Sequence, residues 1–253
     1  MKERTLVDNA VKISLTAQQN LSPQAIHAHC ACIMDVETGE TLYEKNADDR
    51  ELPLCTAKIL TCVIALERGQ LDALFTIPAV TRAGSLAGVT PGEQMALRDM
   101  LYGMMLVSGN DLAEAVAVCI SGSIPAFAAE INALAKCLGM RFSHFSMPSG
   151  VHKKGDYSCA RDIALATRYA LKNPVFREII TTPVYTCKSS LKEYTFENTN
   201  ELIHPQKGYN NRKYPACIGG KTGSGNGRYC LVPVARKGHT HTYIYIGTIS
   251  YYG

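Results

Sequence analysis

The chain predicts an α+β fold: a five-stranded antiparallel sheet built from both ends of the sequence, beside an inserted, mainly helical lobe. Three observations carry this expectation. Two strand-like stretches joined by a turn lie near the start. The middle, 95–182, has apolar residues at helical spacing, broken by Gly, Pro and Ser. From 216 to 249 the pattern returns to strand-like runs separated by glycine-containing turns. One domain over 1–253 follows, with a sheet lobe at about 1–55 and 183–253 and a helical lobe at about 56–182.

In order along the chain, residues 5–19 carry Leu6, Val7, Ala10, Val11 and Leu15 at helical spacing. Residues 26–35 and 41–44 read as two strands, with Glu37-Thr38-Gly39-Glu40 as the turn of a hairpin. After Pro53, the run Cys55 to Leu66 is apolar on every side, which predicts a buried helix ended by Gly69. Further helices are expected at 97–107, 110–121, 124–138, 160–171 and 174–180, and a hairpin or irregular excursion at 186–196. The last three strands are placed at 216–222, 228–235 and 241–249.

Composition narrows the function. A hydrophobic fraction of 46% and a charged fraction of 19% fit a folded domain of 253 residues rather than a disordered chain. The net charge of +4 is spread out, with no Lys/Arg run to track nucleic acid. No stretch is long and apolar enough to cross a membrane as a helix, and the start lacks the apolar core of a signal peptide. The ten cysteines form no Cys-x-x-Cys pair, so a zinc ribbon or thioredoxin-type site is not expected, and no metal or cofactor is implied. Their number suggests a reducing or anaerobic setting. Cys62, Cys119, Cys137 and Cys230 sit among apolar neighbours and read as small core residues.

Three clusters carry chemistry. In Cys55-Thr56-Ala57-Lys58, a thiol at a helix start has an amine one turn on, with Thr56 pointing off that face. The helix terminus and an ammonium would both favour the thiolate; a desolvated Lys58 could instead act as base. In Ser108-Gly109-Asn110, a hydroxyl and an amide fall between two helices, where they could move a proton and hold a substrate amide. The plainer reading is a turn, with Asn110 or Asp111 capping the next helix. Lys221-Thr222-Gly223 ends a strand after Gly219-Gly220. Gly223 would let an extended peptide add along the edge, and Lys221 and Thr222 would meet a terminal carboxylate. Each cluster alone is weak; the three in this order are specific.

This set and the stretches between its members resemble the low-molecular-mass penicillin-binding proteins of the D-alanyl-D-alanine carboxypeptidase type, in the serine β-lactamase-like superfamily. Matching stretches include Asp35 to Gly39, Lys58 to Thr61, Gly84-Ser85, Leu101 to Gly103, Ser108 to Asp111 and Leu138 to Met140. Others are Pro148 to Gly150, Tyr157-Ser158 with Ala160 and Asp162, and Asn198 to Asn200. The resemblance spans most of residues 30–250. It implies a β-lactamase/transpeptidase-like domain with its cleft between the two lobes, and a peptidoglycan stem peptide ending in D-Ala-D-Ala as substrate. It further implies β-lactam antibiotics as ligands and a place at the cell envelope outside the cytoplasm. On this chain the nucleophile position falls on Cys55 and its amine partner on Lys58. Ser108 and Asn110 take the second-motif roles, and Lys221 and Thr222 the third. The backbone N–H groups of Cys55 and Ser224 would form the oxyanion hole.

Two departures stand out. Sulfur replaces the family's oxygen, which leaves three readings of Cys55: a working natural nucleophile, an engineered replacement that traps or disables the enzyme, or a binding-only relative. As a working nucleophile it would favour transfer of the acyl group to an amine over hydrolysis, relative to a serine homologue. The chain also stops just after its last expected strand, where relatives continue with a helix and often a stalk and anchor. An uncovered sheet face would then invite self-association. A class A β-lactamase shares the motifs but needs a Glu-x-x-Leu-Asn stretch that 145–185 does not show. A papain-like protease is disfavoured, because no histidine (27, 29, 144, 152, 204, 239, 241) sits in a partner motif. His239 and His241 alternate on an expected strand and read as solvent-facing.

Overall fold

A computed structural model describes residues 28–80, 83–204, 213–237 and 241–250, from 237 onward by backbone alone. The expected helix at 5–19 and His239 lie outside the described residues, as does the side chain of His241. The elements run β1 (Cys30–Asp35), β2 (Thr41–Lys45), a 3₁₀ turn (Leu54–Ala57), α1 (Lys58–Arg68), β3 (Leu74–Thr76) and β4 (Gln94–Ala96). They continue with α2 (Leu97–Leu106), α3 (Asn110–Ser121), α4 (Ile124–Cys137), α5 (Ala160–Ala170) and α6 (Pro174–Thr181). β5 (Val184–Lys188), β6 (Glu193–Glu197), β7 (Cys217–Gly225), β8 (Arg228–Lys237) and β9 (His241–Ser250) complete the chain.

Five strands form one antiparallel sheet in the order β2-β1-β9-β8-β7, so the two ends of the chain meet at β1 and β9, from Cys30↔Thr248 to Asp35↔Tyr243. β7 is therefore an edge strand. The excursion at 184–197 is a regular hairpin, but it forms its own two-stranded sheet and does not join the five. A second small pair, β3–β4, was not expected from sequence. Its three-residue strands are too short to show an alternating pattern.

The helical lobe packs around α1, whose residues Lys58 to Ala65 are all buried. Burial of Ile59, Leu60, Val63 and Ile64 contributes about 1.5–3 kcal/mol each. The helices begin where local chemistry starts them. Ser123 accepts from Ala126 N ahead of α4, Cys159 Sγ from Asp162 N ahead of α5, and Asn173 from Val175 N ahead of α6. Among the cysteines, Cys62 and Cys230 are buried as expected, whereas Cys119 is half-buried and Cys137 exposed. The inward face of α4 is Phe127, Ile131 and Ala135 at four-residue spacing, and position 137 falls off it.

Candidate active site

The nucleophile cluster begins with backbone geometry. Cys55 lies in the 3₁₀ turn and not in the first turn of α1. With three residues per turn, positions 55 and 58 eclipse, which places the thiol and the Lys58 amine on one side more closely than an α-helix would. Thr56 turns away, as expected, and its hydroxyl donates to Pro53 O. Leu54, just before the thiol, has φ of 47°, and Ser108 has φ of 60°. Both are non-glycine residues in the left-handed region, a conformation that surrounding packing must hold. At Leu54 the holding surfaces are bare glycines. A Cβ on Gly150 would lie 1.7 Å from Leu54 O, and one on Gly223 would lie 3.2 Å from Cys55 N. Gly223 thus does allow a close backbone approach, but the backbone it receives is that of the Cys55 turn. The motif containing it does not end its strand either, since β7 continues to Gly225.

Lys58 is fully buried. Its Nζ donates to Asn110 Oδ1 at 2.6 Å and to Ser149 O at 2.6 Å, and it is hydrogen-bonded to Cys55. Three acceptors match the three N–H bonds of an ammonium. Asn110 Nδ2 donates to Ala83 O at 2.8 Å, which orients the amide with its oxygen toward Lys58. Asn110 therefore does not cap α3: the N-cap residue, Gly109, makes no side-chain cap. Asp111 does take up a first-turn donor of α3, accepting from Leu112 N at 2.9 Å. Its carboxylate also accepts from Ala87 N, Gly88 N and Val89 N and so holds the loop beside the cavity. Ser108 Oγ receives Lys221 Nζ at 2.9 Å and is hydrogen-bonded to Cys55. Because Lys221 fills an acceptor site on Ser108, the single hydroxyl proton is directed at the sulfur. Thr222 Oγ1 lies 2.7 Å from Thr199 Oγ1 at an exposed position.

Burial by itself would raise the Cys55 thiol. The charges of Lys58 and Lys221, with the hydrogen bonds from Ser108 and Lys58, outweigh it and bring the thiol down to about 7. Burial also pushes Lys58 down, against the thiolate and the carboxylates of Asp111 and Glu114. It brings Lys221 down to about 7. Burial pushes Cys32, Cys62, Cys119, Cys159, Cys187, Cys217 and Cys230 the opposite way, up.

Cys55 opens on a cavity of about 570 Å³, which Ser85, Asn110, His152 and Ser224 also line. Ser108 and Lys221 sit beneath its floor, 7% and 2% exposed. The structure thus gathers Cys55, Lys58, Ser108, Asn110, Lys221, Thr222, Gly223 and Ser224 at one end of β7. Sequence reasoning gave no role to the Ser149 carbonyl, although Pro148 to Gly150 stood out, and none to His152 or Thr199. A carbonyl contact leaves no mark in residue type. Among the described residues, one His/Cys/Asp group elsewhere (His29, Cys30, Asp49) has metal-ligand spacing, and none does within this cavity.

A family profile described as D-alanyl-D-alanine carboxypeptidase matches residues 16–245. D-alanyl-D-alanine carboxypeptidase DacF of Bacillus subtilis is 34% identical over 227 residues, covering 86% of this chain and 56% of its own length. The D-alanyl-D-alanine carboxypeptidase of Streptomyces sp. strain K15 is 35% identical over 226 residues, covering 81% of this chain and 75% of its own length. The crystal structure of the Streptomyces K15 DD-transpeptidase superposes with a TM-score of 0.80 at 33% identity, over 90% of this chain and 91% of that one. The D-alanyl-D-alanine carboxypeptidase structure from Mycobacterium tuberculosis H37Rv gives 0.81 at 28% identity, over 89% and 84%. The chain spans little more than half the length of the Bacillus relative.

Proposed function

The chain belongs to the D-alanyl-D-alanine carboxypeptidase family, and we propose that it performs acyl transfer on peptidoglycan stem peptides ending in D-Ala-D-Ala, through a thioester on Cys55. The observation that carries this reading is the convergence of Lys58 and Ser108 on a thiol lowered to about 7 at the floor of an open cavity.

The peptide adds along the free edge of β7, with its terminal carboxylate toward Lys221 and Thr222. The Cys55 thiolate attacks the carbonyl carbon of the D-Ala-D-Ala bond. The backbone N–H groups of Cys55 and Ser224 take the charge that develops on oxygen. As the C–N bond breaks, the leaving amine receives one proton from Lys58, while Ser108, held by Lys221, keeps its hydroxyl on the sulfur. Asn110 keeps Lys58 in place and retains one N–H for the substrate amide. The thioester then passes to water or to an amine. Aminolysis is favoured relative to a serine homologue, because a thioester is the more open to amines.

The same reading assigns β-lactams as acylating ligands and a position at the outer side of the cytoplasmic membrane, where the polymer lies. Cell fractionation tests the position. A lactamase reading is disfavoured, because no glutamate is among the described residues that line the cavity, so penicillin adducts should persist and nitrocefin should show few turnovers. The decisive experiment is intact-mass measurement after penicillin treatment, beside release of D-alanine from a stem peptide. A one-to-one adduct that is lost in Cys55→Ala supports the reading. No adduct supports a binding-only module instead. Restored turnover in Cys55→Ser would mark a serine apparatus whose oxygen was exchanged for sulfur.

A further inference from the structure

Resting on the acyl-transfer reading above, we propose that His152 is a catalytic base for the acceptor half of the reaction, deprotonating an incoming amino-acid amine before it attacks the Cys55 thioester. Among the described residues lining the cavity, Cys55 and His152 are the two with ionisable side chains. Lys58 and Lys221 are buried and do not line it: Lys58 meets the lining at the Cys55 sulfur and the Asn110 amide, and Lys221 approaches through the Ser108 hydroxyl. The loop that carries His152 is held at both ends. Gly150 packs against the Leu54 carbonyl, and the Asp156 carboxylate accepts from Ser146 N at 2.8 Å and Lys153 N at 3.2 Å. His144 and Tyr157 exchange backbone hydrogen bonds just behind it. His152 is thus held at the cavity by a tethered segment.

The number of protons to be moved shows why an amine acceptor needs this group and water does not. An amine reaches the site as an ammonium ion. It must lose one proton to free its lone pair and a second once its nitrogen has bonded to the thioester carbon. Lys58, neutral after protonating the leaving group, can accept only one. His152 removes the first, giving a free amine and an imidazolium. The nitrogen then bonds to the carbonyl carbon, its second proton passes to Lys58, and the carbon–sulfur bond breaks to expel the thiolate. An amide is formed, the Cys55–Lys58 ion pair is restored, and the imidazolium returns its proton to solvent. Water, losing one proton on attack, is served by Lys58 alone. Lys153 and Lys154, both exposed beside His152, favour an acceptor that carries a carboxylate next to its amine, which is the chemistry of an α-amino acid or a peptide's terminal residue.

The test supplies a D-Ala-D-Ala peptide with glycine or a D-amino acid and measures the ratio of exchanged to hydrolysed product. In His152→Gln this ratio should fall by roughly tenfold or more, and added imidazole should restore it in His152→Gly. An unchanged ratio overturns the assignment, as does a loss that imidazole fails to repair, or an unsubstituted protein that only hydrolyses. Failure of the underlying reading looks different: the unsubstituted protein then forms no penicillin adduct on Cys55, and the assignment to His152 falls with it.

Discussion

Replacing Gly150 by alanine should disable the nucleophile without touching any motif residue. The new Cβ would lie 1.7 Å from the Leu54 carbonyl oxygen and 3.2 Å from Cys55 N. Relief of that clash requires the Leu54–Cys55 backbone to retreat by roughly 1 Å or more, a displacement that can cost about 100-fold in rate when it falls on reacting groups. Such a loss corresponds to about 2.7 kcal/mol of transition-state stabilisation. Alanine at φ of 76° also carries a conformational cost of about 1–2 kcal/mol. Gly139→Ala separates the two effects, because Gly139 has φ of 78° with nothing within 4 Å of its added Cβ. The assay is the second-order rate of Cys55 acylation by a fluorescent penicillin, with thermal unfolding of both variants. Gly139→Ala should lose stability and keep its acylation rate, while Gly150→Ala should lose about two orders of magnitude in rate. Near-equal acylation in the two variants, with both folded, would refute the claim that the bare face of Gly150 seats the nucleophile turn.

Four other outcomes rest on the same geometry. Iodoacetamide should label Cys55 ahead of the other thiols, with a rate that climbs as pH rises through about 7 and the thiolate forms. Lys58→Met, which leaves burial unopposed by that charge, should move the midpoint upward; an unmoved midpoint would deny the ion pair. Lys221 carries its charge below about 7 and loses it above. KM for a carboxylate-terminated peptide should therefore rise as pH passes upward through that value, while an amide-terminated peptide shows no such rise. Asp111→Asn should lower thermal stability by about 4–8 °C, since the carboxylate accepts three loop N–H groups and its replacement costs about 2 kcal/mol. Calorimetry of the two forms checks it.

Much of this protein could be read from residue order. The apolar run after Pro53 announced a buried helix because a helix apolar on every side has nowhere else to go, and Lys58 to Ala65 are indeed all buried. Five strands split between the two ends implied one sheet, because unpaired strands at the termini must find partners. The cluster residues could be named from their types and order, although each alone had a plainer reading. Tertiary structure decided what those residues do to one another. Nothing local could show that Asn110 holds an ammonium instead of capping a helix, that a Ser149 carbonyl completes the Lys58 shell, or that Gly223 faces the Cys55 backbone. Each depends on groups brought together from distant parts of the chain, such as the 52 positions separating Lys58 from Asn110 and the 91 separating it from Ser149. Residue type determines which hydrogen bonds and charges a side chain can offer. Which partner receives them, and how far burial and neighbouring charge shift a thiol or an amine, is settled only when the folded chain excludes water and sets the distances.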